Sequence, residues 1–252
     1  MSSSGLVHLQ GLINLQSLDI GSRILFTAMK VSNVGLVYLQ SLTNLESLNV
    51  SDTLVNDSGL ILLQSLNNLQ SLDLSATHVS NAGLSHLQKL TRLQSLNLSH
   101  TKISDSGLVH LQGLTNLRSL DLSDTEVSDN GLVHLQRLIN LQSLDLSGGI
   151  LSSIMKISNA GLIHLQGLTN LKSLTLSDTL VNDNGLVYLQ NLTNLQSLDL
   201  GGGILSSTIM QVSDAGLIHL QDLTNLKSLY LSNTQVKDTS ALDHLLGLDI
   251  EL

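Results

Sequence analysis

Acidic side chains recur at one position of a repeated sequence phrase, and they are the first residues of this chain that could do chemistry. Asp121 and Asp145 occupy that position in two successive copies. Carboxylates on neighbouring strands would repel by roughly 1 kcal/mol in water, and a bound cation could bridge them. The alternative is a solvated polar surface, because other copies carry Asn or Thr. The column is Asp19, Asn49, Asp73, Asn97, Asp121, Asp145, Thr175, Asp199 and Tyr230.

Histidine dominates a second column. Imidazole titrates near neutral pH and binds metals, so a pH-sensitive surface and a metal site are both conceivable. No two histidines lie three or four residues apart, so a metal would need ligands from different copies of the phrase. Semi-exposed packing is the simpler interpretation, and no metal site is predicted. The column is His8, Tyr38, Leu62, His86, His110, His134, His164, Tyr188, His219 and His244.

The remaining sequence has no pattern that is typical of catalysis or of a bound cofactor. The serines are nearly identical between copies, and none lies in a Gly-x-Ser-x-Gly turn. The glycine runs at 148–149 and 201–203 are not followed by the Lys-Ser pair of a phosphate-binding loop; we interpret them as hinges. The sequence predicts a protein that is not an enzyme, with no catalytic residues and no cofactor.

Composition limits the partners. The formal charge is −9, so no basic stripe is expected to neutralise phosphates, and nucleic-acid binding is disfavoured. No apolar run approaches 18 residues and no charged-then-apolar leader follows Met1, so neither a membrane partner nor a signal peptide is expected. The absence of cysteine is typical of a reducing compartment. Formal glycosylation sequons nevertheless leave the compartment open; they begin at Asn49, Asn56, Asn97 and Asn191.

These columns arise because the chain repeats one phrase from end to end, with copies such as Gly107 and Gly131 lying 24 residues apart. Such regularity predicts a solenoid, in which each unit buries its apolar face against its neighbours. Within a copy, residues 117–123 alternate apolar and polar, which predicts a short strand with Leu120 and Leu122 pointing inward.

The second half of each copy predicts a short helix. Leucines at 132, 135 and 138 have the spacing of one helix face, and Ser128 stands where a helix N-cap is expected. Stacked strands lie about 4.8 Å apart and helices are bulkier, so the solenoid must curve with its strands on the concave face. Gln and Asn columns beside the helices are interpreted as structural ladders that bond the backbone; examples are Gln88, Gln112, Gln136, Asn116, Asn140 and Asn170.

The stretch from Leu117 to Leu132 resembles the leucine-rich repeat, with Leu-x-x-Leu-x-Leu-x-x-Thr followed by Val-Ser-Asp-x-Gly-Leu. It is most similar to a 24-residue subclass found in bacterial repeat proteins and in F-box adaptors. The resemblance implies an α/β fold, a curved leucine-rich-repeat solenoid with parallel strands on the concave face and short helices on the convex face. It also implies a protein-binding role. Threonine replaces the usual Asn or Cys at 53, 77, 101, 125, 179 and 234, where its hydroxyl could bond the turn backbone.

Three copies are longer than the others. They carry inserts at 21–30, 147–156 and 201–211, all at the strand exit and therefore on one rim. Each insert carries apolar side chains, and contiguous exposed apolar surface usually marks a partner site. The alternative is that each insert folds back and packs shut. The residues predicted to bind a partner on this insert rim are Ile150, Leu151, Ile154, Met155, Ile204, Leu205, Ile209 and Met210.

We therefore predict one domain spanning residues 1–252, with about nine repeats and a degenerate C-terminal unit. It would act as a protein-binding scaffold for another protein, whose identity the sequence does not give. On the concave face the predicted binding residues are Asp121, Asp145, Asp199 and Tyr230. The alternative function is a structural element that self-associates through an uncapped first repeat, or that presents its polar columns to a repetitive ligand such as a glycan or ice.

Overall fold

A computed structural model describes residues 3–21, 31–148, 157–202 and 210–252. Its strands form one parallel sheet in which every strand pairs with its neighbours in sequence, from β1 at one end to β10 at the other. The order confirms the predicted solenoid. The strands are β1 Ser17–Asp19, β2 Ser47–Asn49, β3 Ser71–Asp73, β4 Ser95–Asn97, β5 Ser119–Asp121, β6 Ser143–Asp145, β7 Ser173–Thr175, β8 Ser197–Asp199, β9 Ser228–Tyr230 and β10 Asp249–Glu251.

The strands are short because only their leucines are held by the core. In β5 the side chain of Leu120 is 1% exposed, and Leu122 just beyond the strand is 2% exposed. Ser119 and Asp121, on either side of Leu120, are half-buried and face outward. The register joins Ser119 to Ser143 and Leu120 to Leu144, so identical side chains stack from strand to strand. The predicted inward leucines are confirmed.

The opposite, convex side is built from helices of a single turn, most of which tighten into 3₁₀ segments. The three leucines at 132, 135 and 138 are fully buried, as their spacing predicted. No helix among the described residues has the length and apolar character needed to cross a membrane. The α-helices are α1 Asn33–Leu36, α2 Asp57–Leu60, α3 Asn81–Leu84, α4 Asp105–Leu108, α5 Asp129–Leu132, α6 Asn159–Leu162 and α7 Asp183–Leu186. The 3₁₀ segments are Ser3–Leu9, Val37–Leu39, Ile61–Leu63, Ser85–Leu87, Val109–Leu111, Val133–Leu135, Val187–Leu189, Asp214–Leu220 and Ser240–Leu242.

The first residue of each short helix fastens one repeat to the next. Asp105, which opens α4, accepts a hydrogen bond of 2.6 Å from the Ser128 backbone N–H and another of 2.6 Å from its hydroxyl. Ser128 precedes α5 as predicted, but its side chain makes no capping bond within its own helix. Ser128 is thus the N-cap residue of α5, as predicted, while its hydroxyl donates to Asp105 of the preceding repeat. These bonds lock the convex edges at a fixed spacing.

The threonine column lies in the turns that follow the strands of the 24-residue repeats. The Thr77 hydroxyl donates to the Leu74 carbonyl oxygen at 2.6 Å, and its counterparts Thr53, Thr125 and Thr179 do the same. The prediction that these hydroxyls bond the turn backbone is confirmed at those positions. Thr234 differs, because its Oγ1 accepts from the Val236 N–H at 3.3 Å. The turns after β2, β3, β5 and β7 are therefore fixed from inside the core.

Candidate binding surfaces

The acidic column lies where the strands end, along what we call the carboxyl edge of the sheet. Asp145 Oδ1 accepts hydrogen bonds from the backbone N–H of Ser147 at 2.9 Å and from its hydroxyl at 2.6 Å. Asn97 accepts the same two bonds from Ser99. One oxygen of each side chain is thus engaged in making the turn, a role that Asp and Asn fill equally well.

Burial and mutual repulsion act on two acids of this column. Burial raises the pKa of Asp145 above its ordinary 3.8; the Ser147 bonds oppose this rise and the charge of Asp121 adds to it. Burial also raises the pKa of Asp199, with smaller increases from Asp145 and from the acids at 178 and 251. The register places Asp145 beside Asp121, and Asp199 beside Tyr230. The carboxyl edge therefore holds negative charge at a cost to stability.

We expect Asp145→Asn to stabilise the protein at neutral pH. Folding raises the pKa of Asp145, so the folded protein favours the protonated acid, and the charged form costs stability as the pH rises above 3.8. The Asn amide keeps an oxygen for the Ser147 donors and carries no charge. The variant should gain roughly 1 kcal/mol near pH 7 and nothing near pH 3. Urea unfolding followed by circular dichroism at both pH values measures the difference.

Asp73→Asn is the matched control for this prediction. Asp73 makes the same two turn bonds to Ser75, but its neighbours in register are Asn49 and Asn97. It lacks an acidic partner on the adjacent strands, so its replacement should change stability little. Equal stabilisation by both variants, or an Asp145→Asn gain that persists at low pH, would contradict the electrostatic explanation.

The histidine column is part of an inter-repeat ladder on the convex side. The amide Nε2 of Gln112 lies 2.6 Å from Nδ1 of His134, and Gln88 lies 2.7 Å from His110. An amide nitrogen can only donate, so the imidazole Nδ1 accepts. The predicted Gln ladder to backbone is wrong for these glutamines, which bond a side chain instead. The described residues contain no group of three or more His, Asp or Glu that could hold a metal ion.

The Asn column forms the backbone ladder that the sequence predicted. Asn116 Nδ2 donates to the Thr91 carbonyl oxygen at 2.8 Å, and Asn140 Nδ2 donates to that of Thr115 at 2.9 Å. Each bond joins one repeat to the preceding one. The Nδ2 groups of these amides therefore hold the loops that lead into the strands.

The bases of the inserts lie on the carboxyl edge. Gly148 leaves β6 so close to the next repeat that a Cβ atom there would lie 2.2 Å from the Asp178 carbonyl oxygen. Gly202 donates its N–H to the Ser232 carbonyl oxygen at 2.7 Å after β8. Close packing therefore requires a glycine at 148, and the Gly202 bond holds the chain at the base of the third insert. The hinge role of the glycine runs stays a prediction.

Most residues of the predicted insert rim lie outside the described residues: Ile150, Leu151, Ile154, Met155, Ile204, Leu205 and Ile209. Met210 is described, and it differs from the expectation. Its side chain is only 2% exposed, and its backbone N–H donates to the Asn233 carbonyl oxygen at 3.0 Å. Met210 therefore belongs to the interior at the base of its insert and is removed from the predicted binding surface.

Sequence reasoning missed an apolar stripe on the convex face. In seven repeats the aliphatic side chain directly after the core leucine of the Gly-Leu pair is about half exposed. The stripe consists of Val7, Val37, Ile61, Val109, Val133, Ile163 and Ile218. The signal was available, because these side chains fall outside the three-residue spacing of the buried helix face.

A polar groove along the opposite, amino edge of the sheet was also missed. Here the loops from the convex side lead into the strands, and they enclose an open cavity of about 590 Å³. The groove contains two arginines, Arg92 and Arg118, whose side chains are exposed. Its lining is Gln70, Arg92, Gln94, Asn116, Arg118, Asn140, Gln142 and Asn170.

Comparison with known proteins places this geometry in context. A family description for "Leucine rich repeat" matches residues 67–127. The fold resembles an internalin (inlF) from Listeria monocytogenes, with a TM-score of 0.72 and 26% identity over 97% of this chain and 69% of the internalin chain. It also resembles an internalin C2 from the same organism, with a TM-score of 0.66 and 30% identity over 85% of this chain and 82% of that one.

A plant receptor has the same fold at lower identity. The leucine-rich-repeat ectodomain of the Arabidopsis receptor kinase HAESA, solved in complex with a peptide hormone, matches 96% of this chain at 21% identity and a TM-score of 0.63. This chain covers 38% of that ectodomain. A sequence comparison with curated proteins finds no match.

Proposed function

Because this chain belongs to the family of leucine-rich-repeat proteins, we propose that it is a non-enzymatic scaffold that binds another protein at the carboxyl edge of its sheet. Domains of this family are generally protein-binding scaffolds. A solved relative of the fold binds a peptide hormone. For this chain the proposal adds two points. The binding site lies on the carboxyl edge of the sheet from β5 to β9, and named side chains there carry binding.

One observation carries this location. The register of β5 to β9 aligns Asp121, Asp145, Asp199 and Tyr230 on one edge of the sheet, and the second and third inserts leave that same edge after β6 and β8. The predicted concave residues and the bases of the predicted insert rim are therefore neighbours. They form one candidate surface, not two separate ones.

The chemistry of this surface suits a partner that offers both apolar and basic groups. Tyr230 is 39% exposed on a face that otherwise carries small polar and acidic side chains, and an exposed tyrosine is a frequent binding anchor. In the proposal the apolar insert residues Ile150, Leu151, Ile154 and Met155 supply further, adaptable contacts to the same partner. The half-buried Asp145 and Asp199 would favour a cationic group of the partner, since such a charge relieves their mutual repulsion.

The test is a variant in which Ile150, Leu151, Ile154 and Met155 are all replaced by serine. Quantitative affinity capture from cells that express the protein should recover the partner at least about tenfold less with this variant, because apolar anchors dominate interface energies. Circular dichroism should show an unchanged repeat fold. Tyr230→Ser should reduce capture of the same partner.

The convex stripe offers a matched control. Replacing Ile61, Val109, Val133 and Ile163 by serine removes as many aliphatic side chains from the other face. This variant should capture the partner as well as the wild type does. Loss of capture in the control alone would place the partner on the convex face and overturn the proposal, as would unchanged capture by the insert variant.

Light scattering over a hundredfold concentration range separates scaffold from self-assembly. A wild-type mass that stays monomeric supports the scaffold. A mass that grows with concentration in wild type and insert variant alike favours the alternative, in which copies stack through the first repeat.

A further inference from the structure

Charge is segregated between the two edges of the sheet. The loops that lead into β3 through β8 span residues 64–70, 88–94, 112–118, 136–142, 166–172 and 190–196, and they contain no Asp or Glu. They contain five exposed cations: Lys89, Arg92, Arg118, Arg137 and Lys172. On the carboxyl edge the charges have the opposite sign: Asp121 ends β5, and Asp124 and Glu126 follow in the turn. A chain with net charge −9 thus has one basic edge.

The loops of this amino edge are held together as one continuous surface. The Arg118 N–H donates to the Gln94 carbonyl oxygen, and the Gln142 N–H donates to that of Arg118, each at 2.7 Å. Neighbouring repeats therefore follow one another at the strand spacing of about 4.8 Å. The cations of successive repeats therefore share one edge of the sheet, and Arg92 and Arg118 line the same groove.

The guanidinium groups in the groove are not neutralised by the described residues. Arg92 donates only to the uncharged amide oxygen of Asn68, at 2.8 Å. Arg118 makes no side-chain hydrogen bond or ion pair with any described residue, and neither does Lys172. Unpaired guanidinium groups at the same site favour carboxylate ligands, which they can bind through two parallel hydrogen bonds.

Amide side chains complete the groove. Asn116 and Asn140 use Nδ2 to hold the preceding repeat, which leaves Oδ1 as an acceptor for a ligand N–H group. Gln94 Nε2 donates to Gln70 Oε1 at 3.2 Å. Such groups match the N–H and C=O groups of an extended peptide. We propose that the amino-edge groove binds an extended acidic peptide segment of a partner protein, with carboxylates on Arg92 and Arg118 and the peptide backbone on the amides.

The shape and charge of the groove favour a peptide over the alternatives. A cavity of about 590 Å³ accommodates a narrow extended chain, in which acidic residues two apart lie about 7 Å from each other on one face. Nucleic acid would also meet the acids of the concave face, and the net charge of −9 opposes it. This surface lies opposite the edge used in the proposed function, so the two proposals can fail separately.

The test uses a fluorescein-labelled peptide of ten glutamates, titrated with the full chain and followed by fluorescence anisotropy. We expect saturable binding that weakens as salt rises from about 20 mM to about 200 mM. Arg92→Asn and Arg118→Gln introduce residues that other repeats carry at the same positions, Asn116 and Gln94, so the fold should persist. Each should weaken binding about tenfold, as expected for a lost charged hydrogen bond.

The control is the double variant Lys102→Gln/Lys237→Gln. It changes the net charge as much as Arg92→Asn/Arg118→Gln does, but both lysines lie outside the amino edge. It should bind like wild type, and so should the insert variant with four serines. The proposal would be overturned if the peptide did not bind, or if the two double variants lost equal affinity for it. Tighter binding of a labelled oligonucleotide would also overturn it. So would a salt-sensitive dimer, formed in place of peptide binding, that the arginine variants abolish.

Discussion

A Leu120→Ala variant will have a free energy of unfolding about 3–4 kcal/mol lower than that of the wild type. Leu120 lies in the middle of the sheet, 1% exposed, between Leu96 and Leu144 of the adjacent strands. Removing its side chain leaves a cavity that the flanking repeats cannot fill, because their own leucines are fixed in register. Urea unfolding followed by far-UV circular dichroism measures the change.

Leu18→Ala makes the same chemical change at the end strand of the described sheet. Leu18 is half-buried, and in the sheet it has Leu48 as a neighbour on one side only. A solenoid is stabilised by contacts between adjacent repeats, so the end position should lose about 1 kcal/mol or less. If both variants lost equal stability, the nearest-neighbour description of this fold would be wrong.

Positions that depend on a single repeat could be predicted from the sequence. The alternation around Leu120 and the three-residue spacing around Leu135 each reflect burial within one unit, and both residues are buried. The serine-and-acid column was assigned to the outward face for the same reason, and Asp121 lies there. The family followed from the same motif, because its leucines and its Gly-Leu pair are what the repeat needs to form a core.

Positions that depend on contacts between repeats could not be predicted in this way. The bond from Ser128 to Asp105 joins residues 23 apart, and its partner could be known only after the repeats were stacked. The basic edge was hidden because Arg92 and Arg118 fall at different positions of the phrase and meet only in the groove. Met210 was misplaced since apolar composition does not distinguish an exposed insert from one whose base is buried.

The glycine of each Gly-Leu pair gives the second large effect, and Gly107→Ala should lower the free energy of unfolding by about 2–3 kcal/mol. A Cβ atom at Gly107 would lie 2.5 Å from Oδ1 of Asn81 in the preceding repeat and 3.2 Å from its Cγ. That oxygen cannot move away freely, because it accepts a hydrogen bond of 2.8 Å from the Ser104 N–H. The methyl group must therefore break this bond or force the repeats apart. Urea unfolding again measures the loss.

Gly113→Ala supplies the internal comparison, since a Cβ atom there would meet nothing within 4 Å. It should leave stability unchanged or raise it slightly, by restricting the unfolded chain. A double-mutant cycle with Asn81→Ala locates the cause, because Gly107→Ala should cost much less once the Asn81 side chain is gone. Additive losses in the cycle would show that the methyl group acts elsewhere. Strong coupling between positions 107 and 81 would explain why glycine recurs in this column. The Asn81 side chain, which bonds the Ser104 N–H, would then fill the space that a side chain at 107 needs.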